Sequence, residues 1–375
     1  MLKSIKNKAT LYLKNLPGWS TNRKIVVFIS DDWGDLRIRN EDDYNQLLGK
    51  EIPVDKSPHT KYGCLADHND LNSLYEVLTG VKDKNGRNAV FTPFTILANP
   101  DFEKIRNDNF SNYYYKVFTD TIKEYQDGLK TLDAWDVGQK ENLFKPEFHG
   151  RDHLNIPLWL KFLRAGNKKL HFAFDHHYAY LKIPEMPVNP FFTFYYEQSE
   201  EWDFLNRSLH DGVALFKNTF GYAPLVFNPP NGMFHRSFYG TLSTLGVNTI
   251  QASHFRKEPN GKGGITKKYY YFGKHSAEGI MHYISNCAFE PVADSYKGIG
   301  DTLLQIKMAF AAEKPALINT HRVNYVGGRS IIIRDNSLKE LESLLQKIKT
   351  LWNDVELYSA GEFDEILNTS KGTKN

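Results

Sequence analysis

The sequence has few cysteines, the residues that cross-link small secreted proteins through disulfides and bind zinc as thiolates. Its 375 residues contain only two cysteines, Cys64 and Cys287, which lie far apart in the chain. Two distant thiols form neither a disulfide framework nor a zinc-thiolate pattern, and they fit a reducing compartment. A chain of this length buries about three quarters of its unfolded surface, so it needs no covalent or metal staple to fold.

An excess of one charge and long hydrophobic runs are also missing. Lys and Arg number 47 and Asp and Glu number 44, which gives a net charge of +3. So small a charge is no argument for a nucleic acid or an anionic membrane as partner, and we expect no nucleic-acid partner. No apolar run approaches the ~18 residues of a transmembrane helix. The first residues, MLKSIKNKATLYLKNLPGW, have no unbroken apolar core and no small-residue cleavage site. We therefore expect no secretory signal and a cytoplasmic protein.

The N-terminal segment is basic and has an apolar periodicity. Its apolar positions form one stripe of a short helix: Leu2, Ile5, Ala9, Leu13 and Leu16. We expect residues 1–23 to be an N-terminal extension whose helix packs on the domain through this stripe. A helix that lies on a membrane surface is the second interpretation.

Short apolar runs alternate with helical patterns along the rest of the chain. The runs with strand character are 24–30, 89–100, 145–150, 224–230, 246–253, 281–291, 315–321 and 355–363. The helical patterns are 155–166, 199–221, 235–245, 300–313 and 335–352. This alternation predicts parallel strands joined by right-handed crossovers. Seven or eight such units predict an α/β fold, a (β/α) barrel, in preference to an open sheet.

The length of the chain predicts one barrel domain, residues 24–370, with insertions. A plain barrel takes about 250 residues, which leaves about 125 for additional segments. We expect the insertions around residues 40–85, 101–140 and 167–198. The last is rich in Pro, Phe and Tyr. It is a candidate for a loop that covers or extends a binding cleft, and a packing role is equally compatible with its composition.

Polar side chains occupy the carboxyl ends of the predicted strands, which is where parallel α/β folds bind ligands. Asp31 and Asp32 end the first strand, His149 and His153 follow the third, and His321 ends the seventh. Two consecutive aspartates leave a strand in different directions, so one can ligate a metal while the other stays free as a base. Two imidazoles at i and i+4 share one face if their segment enters a helix, and they can then chelate one cation.

The combination of these motifs predicts a metal site. Alone, the aspartates also fit a solvated acidic turn, and the histidines fit an exposed helix start. Together, Asp32, His149 and His153 make a two-histidine, one-carboxylate set with open coordination positions. Such a set holds one divalent ion, Zn²⁺ in the first instance and Co²⁺, Ni²⁺ or Mn²⁺ as alternatives, for Lewis-acid and water-activating chemistry.

The order of these motifs, over most of residues 24–365, resembles the polysaccharide deacetylase (NodB-homology) family of carbohydrate esterases. The resemblance implies a distorted barrel and a metal-dependent hydrolase that removes an N- or O-acetyl group from a polysaccharide or sugar precursor. It implies that Asp31 is the catalytic base and that His321 is the general acid. It also implies the metal ligands Asp32, His149 and His153, with a carbohydrate as substrate.

The turn FNPPNG, residues 227–232, resembles the family's Arg-x-Pro-Tyr motif, with Pro230 at the position of its Pro. Asn228 stands where the family has an Arg that orients the base, and Asn231 stands where a Tyr is usual. We assign these three residues, together with Trp33, to the substrate and oxyanion region. An Asn can donate a hydrogen bond but carries no charge. Four arginines are candidates to replace the missing one: Arg37, Arg39, Arg151 and Arg322.

Two other functions remain open at this stage. One is a catalytically silent glycan-binding protein on the same fold, which the change at Asn228 and an aromatic content of 14% favour. The other is a deformylase or amidohydrolase that acts on a nucleotide sugar. The retained Asp and His residues favour an enzyme. An acidic partner for His321 is not evident from the sequence.

Overall fold

The computed structural model describes residues 2–370 of the chain, and the side chains of residues 6–368. The strands are β1 (Ile25–Trp33), β2 (Phe91–Thr95), β3 (Ala98–Pro100), β4 (Tyr115–Val117), β5 (Glu147–Phe148), β6 (Val226–Phe227), β7 (Thr249–Ala252), β8 (Phe255–Pro259), β9 (Ile265–Tyr269), β10 (Met281–Ile284), β11 (Cys287–Ala288), β12 (Ala316–His321) and β13 (Glu356–Tyr358).

The α-helices are α1 (Leu2–Asn15), α2 (Glu41–Gly49), α3 (Pro58–Lys61), α4 (His68–Thr79), α5 (Phe102–Asn107), α6 (Phe118–Lys123), α7 (Gly128–Lys140), α8 (Ile156–Arg164), α9 (Lys168–Asp175), α10 (Ser199–Phe220), α11 (Tyr239–Thr244), α12 (Ile299–Ala311), α13 (Ile331–Leu351) and α14 (Ala360–Ser370). Short 3₁₀ helices span Pro230–Gly232, Arg236–Phe238 and Arg322–Asn324.

A curled sheet of nine strands forms the centre of the molecule. Its order is β10-β7-β6-β5-β2-β1-β12-β11, with β13 also paired to β1. Every one of these pairs is parallel. Helices connect most of these strands, as right-handed crossovers require, but the hairpin β8–β9 lies between β7 and β10. The predicted fold class, a distorted (β/α) barrel, is therefore confirmed.

The central strand β1 reads IVVFISDDW and is buried along its whole length. Successive side chains of a strand point to opposite faces. Accordingly Val26 and Phe28 join one hydrophobic cluster, whereas Ile25, Val27 and Ile29 join another on the opposite face. A strand that is apolar on both faces is typical of a parallel sheet covered on both sides. This packing fixes β1, and with it the position of the residues at its carboxyl end.

The run 281–291, predicted as one strand, forms two. β10 and β11 lie at opposite ends of the sheet, so Ser285 and Asn286 cross the gap between them. The Asn286 side chain donates to the carbonyl of Pro315 and accepts from the N–H of Leu317, both at 2.9 Å. The amide thus bonds to backbone groups that a continued strand would otherwise pair, and the sheet stays open here.

The N-terminal helix α1 packs against α12, but not through its apolar stripe. Ala9, Leu13 and Leu16 are exposed, whereas Asn15 is buried. Asn15 bonds to the Asn286 side chain, which holds the end of α1 by a polar contact. The prediction that the stripe packs on the domain is therefore wrong for the residues whose side chains are described; Leu2 and Ile5 are not among them.

The three ranges expected to hold insertions contain additional helices. Residues 40–85 form α2 to α4, residues 101–140 form α5 to α7 with β4, and residues 167–198 form α9 and a long loop. This loop brings Phe191 to the main cleft of the molecule. In the described part of the chain, no helix combines the length and the apolarity that crossing a membrane requires.

The contact between α10 and β5 generates a stability prediction. A Cβ on Gly212 of α10 would lie 2.7 Å from the Phe148 ring and 3.0 Å from the backbone nitrogen of Arg151. We expect Gly212→Ala to lower the free energy of unfolding by about 1–3 kcal/mol, because overpacking outweighs the helix preference for Ala. Gly240→Ala in α11 is the control, since its Cβ meets nothing within 4 Å. Equal effects of both changes in urea unfolding would contradict this account of the packing.

Candidate active site

A one-residue bulge at the end of β1 sets the directions of the two aspartates. The pairing of β1 with β2 shifts between Ser30 and Trp33, where β1 contains one extra residue. Asp32 adopts φ +71°, a left-handed conformation that Asp tolerates better than most residues. Asp31 keeps the strand register and lies opposite His321 of β12. In a regular strand Asp32 would point to the face opposite Asp31, whereas with the extra residue both carboxyls line the same cleft.

The two histidines of the HGRDH motif lie outside any helix. His149 directly follows β5, His153 lies in a loop, and α8 begins only at Ile156. Gly150 between them has φ +113°, which an L side chain rarely adopts, so the chain turns here instead of starting a helix. The two rings nevertheless converge, with their centroids 5.5 Å apart.

Asp32 and the two histidines meet in a buried cluster. Asp32 Oδ1 lies 3.1 Å from His153 Nε2 and 3.5 Å from His149 Nε2. One ligand atom from each of the three residues lies within 4.8 Å of the others, and all three residues are buried. The three predicted metal ligands are thus brought together, although Asp32 and His149 are separated by more than a hundred positions in the chain.

The donor set fits a cation. His149 Nδ1 donates to the backbone carbonyl of Asn228 at 2.7 Å, which leaves Nε2 with its lone pair directed at Asp32. This Nε2 atom is buried and has no hydrogen-bond partner among the described residues. A buried polar atom without a partner is costly. Two imidazoles and one carboxylate are a recognised ligand set for divalent transition metals.

The second carboxylate oxygen of Asp32 contacts basic groups that the sequence analysis did not assign to this role. Arg37 Nη2 donates to Oδ2 at 2.7 Å, and His59 Nδ1 lies 3.6 Å from the same atom. Burial opposes ionisation of Asp32, but Arg37 and the two imidazoles outweigh it and hold the pKa of Asp32 well below its usual range. Asp32 is therefore a carboxylate at neutral pH, as a metal ligand must be.

Asp31 is held by Asn228. The Asn228 side-chain amide donates to Asp31 Oδ1 at 2.7 Å, so a neutral group at this position orients the carboxyl. Burial raises the pKa of Asp31 above its usual value, which His321 and His149 partly offset. None of the four candidate arginines has a described hydrogen bond to Asp31. Three of them bond to other aspartates: Arg37 to Asp32 and Asp35, Arg39 to Asp43, and Arg151 to Asp152 and Asp211. The fourth, Arg322, is buried.

His321 has an acidic partner that the sequence analysis did not identify. His321 Nδ1 donates to Glu290 Oε1 at 2.5 Å, and Asn324 donates to the other oxygen of Glu290 at 2.8 Å. Burial alone would lower the pKa of His321, but Glu290, with Asp31, raises it to about 10. The other ring nitrogen, Nε2, lies 3.8 Å from Asp31 Oδ2. Glu290 lies near the carboxyl end of the predicted strand run 281–291, and that position was the signal that could have pointed to it.

These groups line one cleft of about 660 Å³ at the carboxyl ends of the strands. Asn228 and Asn231 line it, and the Asn231 amide donates to the carbonyl of Phe191 at 3.1 Å. Pro230 is buried and is not among the residues that line the cleft; a Cβ on Gly150 would lie 3.6 Å from its ring. The opposite wall carries uncharged amides and hydroxyls: Gln251, Ser253, Ser285, Asn286, Gln305 and Asn319.

The assignment of Trp33 to the substrate region is wrong. Its side chain is 1% exposed and packs edge-on against Phe144 at 4.7 Å and against Trp135 at 6.1 Å. Its indole N–H donates to Ser30 Oγ at 2.8 Å. Because the bulge adds one residue before Trp33, this ring turns into the core instead of the cleft.

The chain is similar in structure to solved proteins of carbohydrate metabolism. No protein-family model and no curated protein matches the sequence. One similar structure is a candidate polysaccharide deacetylase from Mycobacterium smegmatis, with 10% identity, a TM-score of 0.46 and coverage of 95% of this chain and 94% of that one. A candidate glycoside hydrolase/deacetylase from Parabacteroides distasonis has 10% identity, a TM-score of 0.46 and coverage of 94% and 73%.

A third similar structure has a different activity. It is a 4-alpha-glucanotransferase from Thermococcus litoralis, with 8% identity, a TM-score of 0.45 and coverage of 91% of this chain and 40% of that one. At these identities, and with TM-scores below 0.5, we draw no conclusion about activity from any of the three.

The convergence of Asp32 with the two imidazoles generates a binding prediction. We expect the chain to bind one Zn²⁺, and we expect His149→Gln or His153→Gln to weaken that binding at least ~100-fold, because each removes one of three ligands. Isothermal titration calorimetry of the chelator-treated protein measures both effects. His210→Gln, at an exposed position of α10, is the control that should bind normally. Unchanged affinity in both cluster variants would contradict the site.

Proposed function

We propose that this protein is a metal-dependent hydrolase that removes an acetyl group from a carbohydrate. The observation that carries the proposal is the arrangement of three kinds of group in one cleft. A metal-ligand cluster, a carboxyl oriented by an amide and an imidazole paired with a carboxylate all lie at neighbouring strand ends. Hydrolysis of an amide or ester needs a group that polarises the acyl carbonyl, a base for water and an acid for the leaving group. An ion held by the ligand cluster would supply the first, and Asp31 and His321 supply the other two.

The ligand cluster supports Zn²⁺ as the ion, because two imidazoles and one carboxylate leave an open position for water. When bound by Asp32, His149 and His153, the ion supplies Lewis acidity and lowers the pKa of water. Arg37 keeps Asp32 ionised, and the Asn228 carbonyl keeps the His149 ring oriented toward the cluster. The chain's own residues thus maintain the ligands in the protonation state that the ion requires.

Asp31 serves as the base. It accepts a proton from the water that attacks the acyl carbonyl, and Asn228 holds its carboxylate in position for this transfer. Burial raises the pKa of Asp31, which makes its carboxylate a stronger base than a solvated one. An Asn provides the direction of the hydrogen bond without a positive charge, so it offsets this increase in basicity less than an arginine would.

His321 serves as the acid. With its pKa raised to about 10, chiefly by Glu290, the ring is protonated at neutral pH. Nδ1 is engaged by Glu290, so Nε2, on the side of Asp31, carries the proton that is transferred. His321 gives this proton to the sugar nitrogen or oxygen as its bond to the acyl carbon breaks. The products are acetate and the free amine or alcohol.

The composition of the cleft supports an uncharged sugar as substrate. Its second wall carries side-chain amides and hydroxyls, which pair well with sugar hydroxyls. Arg37, the one Arg or Lys among the described lining residues, is committed to Asp32 and Asp35. A nucleotide sugar would need basic side chains for its phosphates. This favours a neutral glycan over the nucleotide-sugar alternative.

The roles of Asp31 and His321 generate an activity prediction. We expect Asp31→Asn and His321→Ala each to lower kcat on an N-acetylated oligosaccharide by 10²- to 10⁴-fold, because each removes one proton-transfer group. Acetate release by the zinc-loaded protein is the measurement. Zinc content should stay at one per chain in both variants, since neither residue belongs to the proposed ligand set.

Asp335→Asn is the matched control, because Asp335 forms a surface ion pair with Arg334. It should retain full activity. If the zinc-loaded wild type releases no acetate from neutral acetylated glycans but binds them, the silent glycan-binding protein is correct instead. If both variants keep wild-type turnover, the assigned roles are wrong.

The pair formed by Glu290 and His321 generates a pH prediction. Activity needs protonated His321, so kcat/KM should fall as the pH rises through about 10. Glu290→Gln removes the negative charge that raises this pKa, so the fall should move to lower pH by about 1–3 units. A purely structural role of Glu290 would lower activity at every pH without moving the alkaline limb. Glu278→Gln, at an exposed position, should leave the profile unchanged.

A further inference from the structure

Two segments of the chain have a strong excess of basic over acidic residues. Residues 1–30 contain six basic and no acidic residues, and residues 254–274 contain six basic residues and one acidic residue. The rest of the chain therefore holds 35 basic and 43 acidic residues, a charge of −8 against +11 for the two segments. The net charge of +3 conceals this separation.

The first segment presents apolar side chains beside its lysines. Leu13 is 60% exposed and Leu16 is 46% exposed, at i and i+3 on one side of the end of α1. Lys6, Lys8 and Lys14 of the same segment are also exposed. A basic helix that turns its leucines to solvent, instead of to the domain, has the composition of a helix that lies in a lipid interface.

The second segment is a hairpin with the same character. β8 and β9 pair antiparallel, with Phe255 opposite Tyr269, and their rings lie 5.4 Å apart. Phe255 is 62% exposed and Tyr269 is 43% exposed. Ile265 lies four residues before Tyr269 and therefore on the same face of β9, and it is 41% exposed. Lys267 and Lys268 are exposed on β9 and take part in no ion pair between described residues.

The two segments lie next to each other. Gly18 pairs with Phe272, and the N–H of Trp19 donates to the Phe272 carbonyl at 3.0 Å. The residues that follow α1 are thus paired with the segment that follows the hairpin. His254 stacks on Tyr269 with ring centroids 5.9 Å apart, which continues the aromatic surface to the base of β8. We call α1 together with residues 254–274 the basic-aromatic surface.

We propose that the basic-aromatic surface docks on a lipid bilayer that contains anionic headgroups. The lysines supply the electrostatic attraction, and the exposed leucine and aromatic side chains enter the interface between headgroups and acyl chains. Aromatic residues such as Tyr favour this depth because one end of the ring is apolar and the other is polar. No other described feature covers these apolar groups.

The basic-aromatic surface adjoins the rim of the cleft. Ser253 lines the cleft and is followed directly by His254 and Phe255. Asn286 also lines the cleft, and its side chain donates to Asn15 at the end of α1 at 2.9 Å. A docked molecule therefore holds this rim of the cleft beside the headgroups.

Vesicle co-sedimentation with the full chain tests the proposal. We expect binding to vesicles of phosphatidylcholine mixed with phosphatidylglycerol, little binding to phosphatidylcholine alone, and weaker binding at high salt. Lys267→Gln with Lys268→Gln should weaken binding on the order of 25-fold, since each lysine near the surface contributes about fivefold. Leu13→Ser and Phe255→Ser should each weaken it about tenfold by removing buried apolar area.

Matched controls come from exposed residues elsewhere. Lys168→Gln with Lys169→Gln changes an adjacent lysine pair on α9, and Leu129→Ser changes a leucine on α7 that is 69% exposed. Both controls should bind like the wild type. Equal binding to both vesicle types, or equal losses in test and control variants, would overturn the proposal.

A second measurement tests whether another copy of the chain or an RNA binds this surface instead of a lipid bilayer. If light scattering without lipid shows a dimer that Phe255→Ser dissociates, the basic-aromatic surface is a contact between copies and the proposal is wrong. Retention on single-stranded RNA without binding to anionic vesicles would also overturn it. None of these measurements depends on hydrolysis, so they do not depend on the function proposed above.

Discussion

The site depends on one carboxylate that is shared between two sets of groups. Asp32 directs Oδ1 to the imidazoles of His149 and His153 and Oδ2 to Arg37. The extra residue in β1 and the left-handed backbone at Asp32 place this carboxyl in the same cleft as Asp31, whereas a regular strand would point the two side chains to opposite faces. Arg37 also keeps the carboxyl ionised in a buried setting where it would otherwise tend to be protonated.

The same cleft assigns opposite protonation states to a base and an acid. Asp31 Oδ2 lies 3.8 Å from His321 Nε2. The other carboxyl oxygen of Asp31 accepts a hydrogen bond from Asn228, and the other ring nitrogen of His321 donates one to Glu290. Burial raises the pKa of Asp31, and its partner Asn228 carries no positive charge to lower it. The carboxylate of Glu290 raises the pKa of His321 far above its usual value. Environment, more than residue type, separates the two roles.

The sequence predicted the parts of this structure that depend on local pattern and on parallel topology. The strand ends that carry Asp32, His149 and His321 meet because the carboxyl ends of parallel strands share one edge of the sheet. To predict this meeting, it is enough to identify the strands in the sequence. It did not predict groups whose places depend on irregular backbone. Glu290 and Arg37 reach their partners from segments between or after strands, and Trp33 turns into the core because of the bulge. The stripe on α1 was misjudged because a polar contact through Asn15, not apolar packing, holds the end of that helix.

Anomalous diffraction at the zinc absorption edge, from crystals grown with Zn²⁺, tests the central claim most directly. The account predicts one peak within ~2.0–2.2 Å of Asp32, His149 and His153, with Asp31 and His321 outside coordinating distance. A second group of three, Asp32 with His59 and His321, also has its ligand atoms within 4.8 Å of one another. A peak there instead would contradict the account, because His321 would then be a ligand and not the acid.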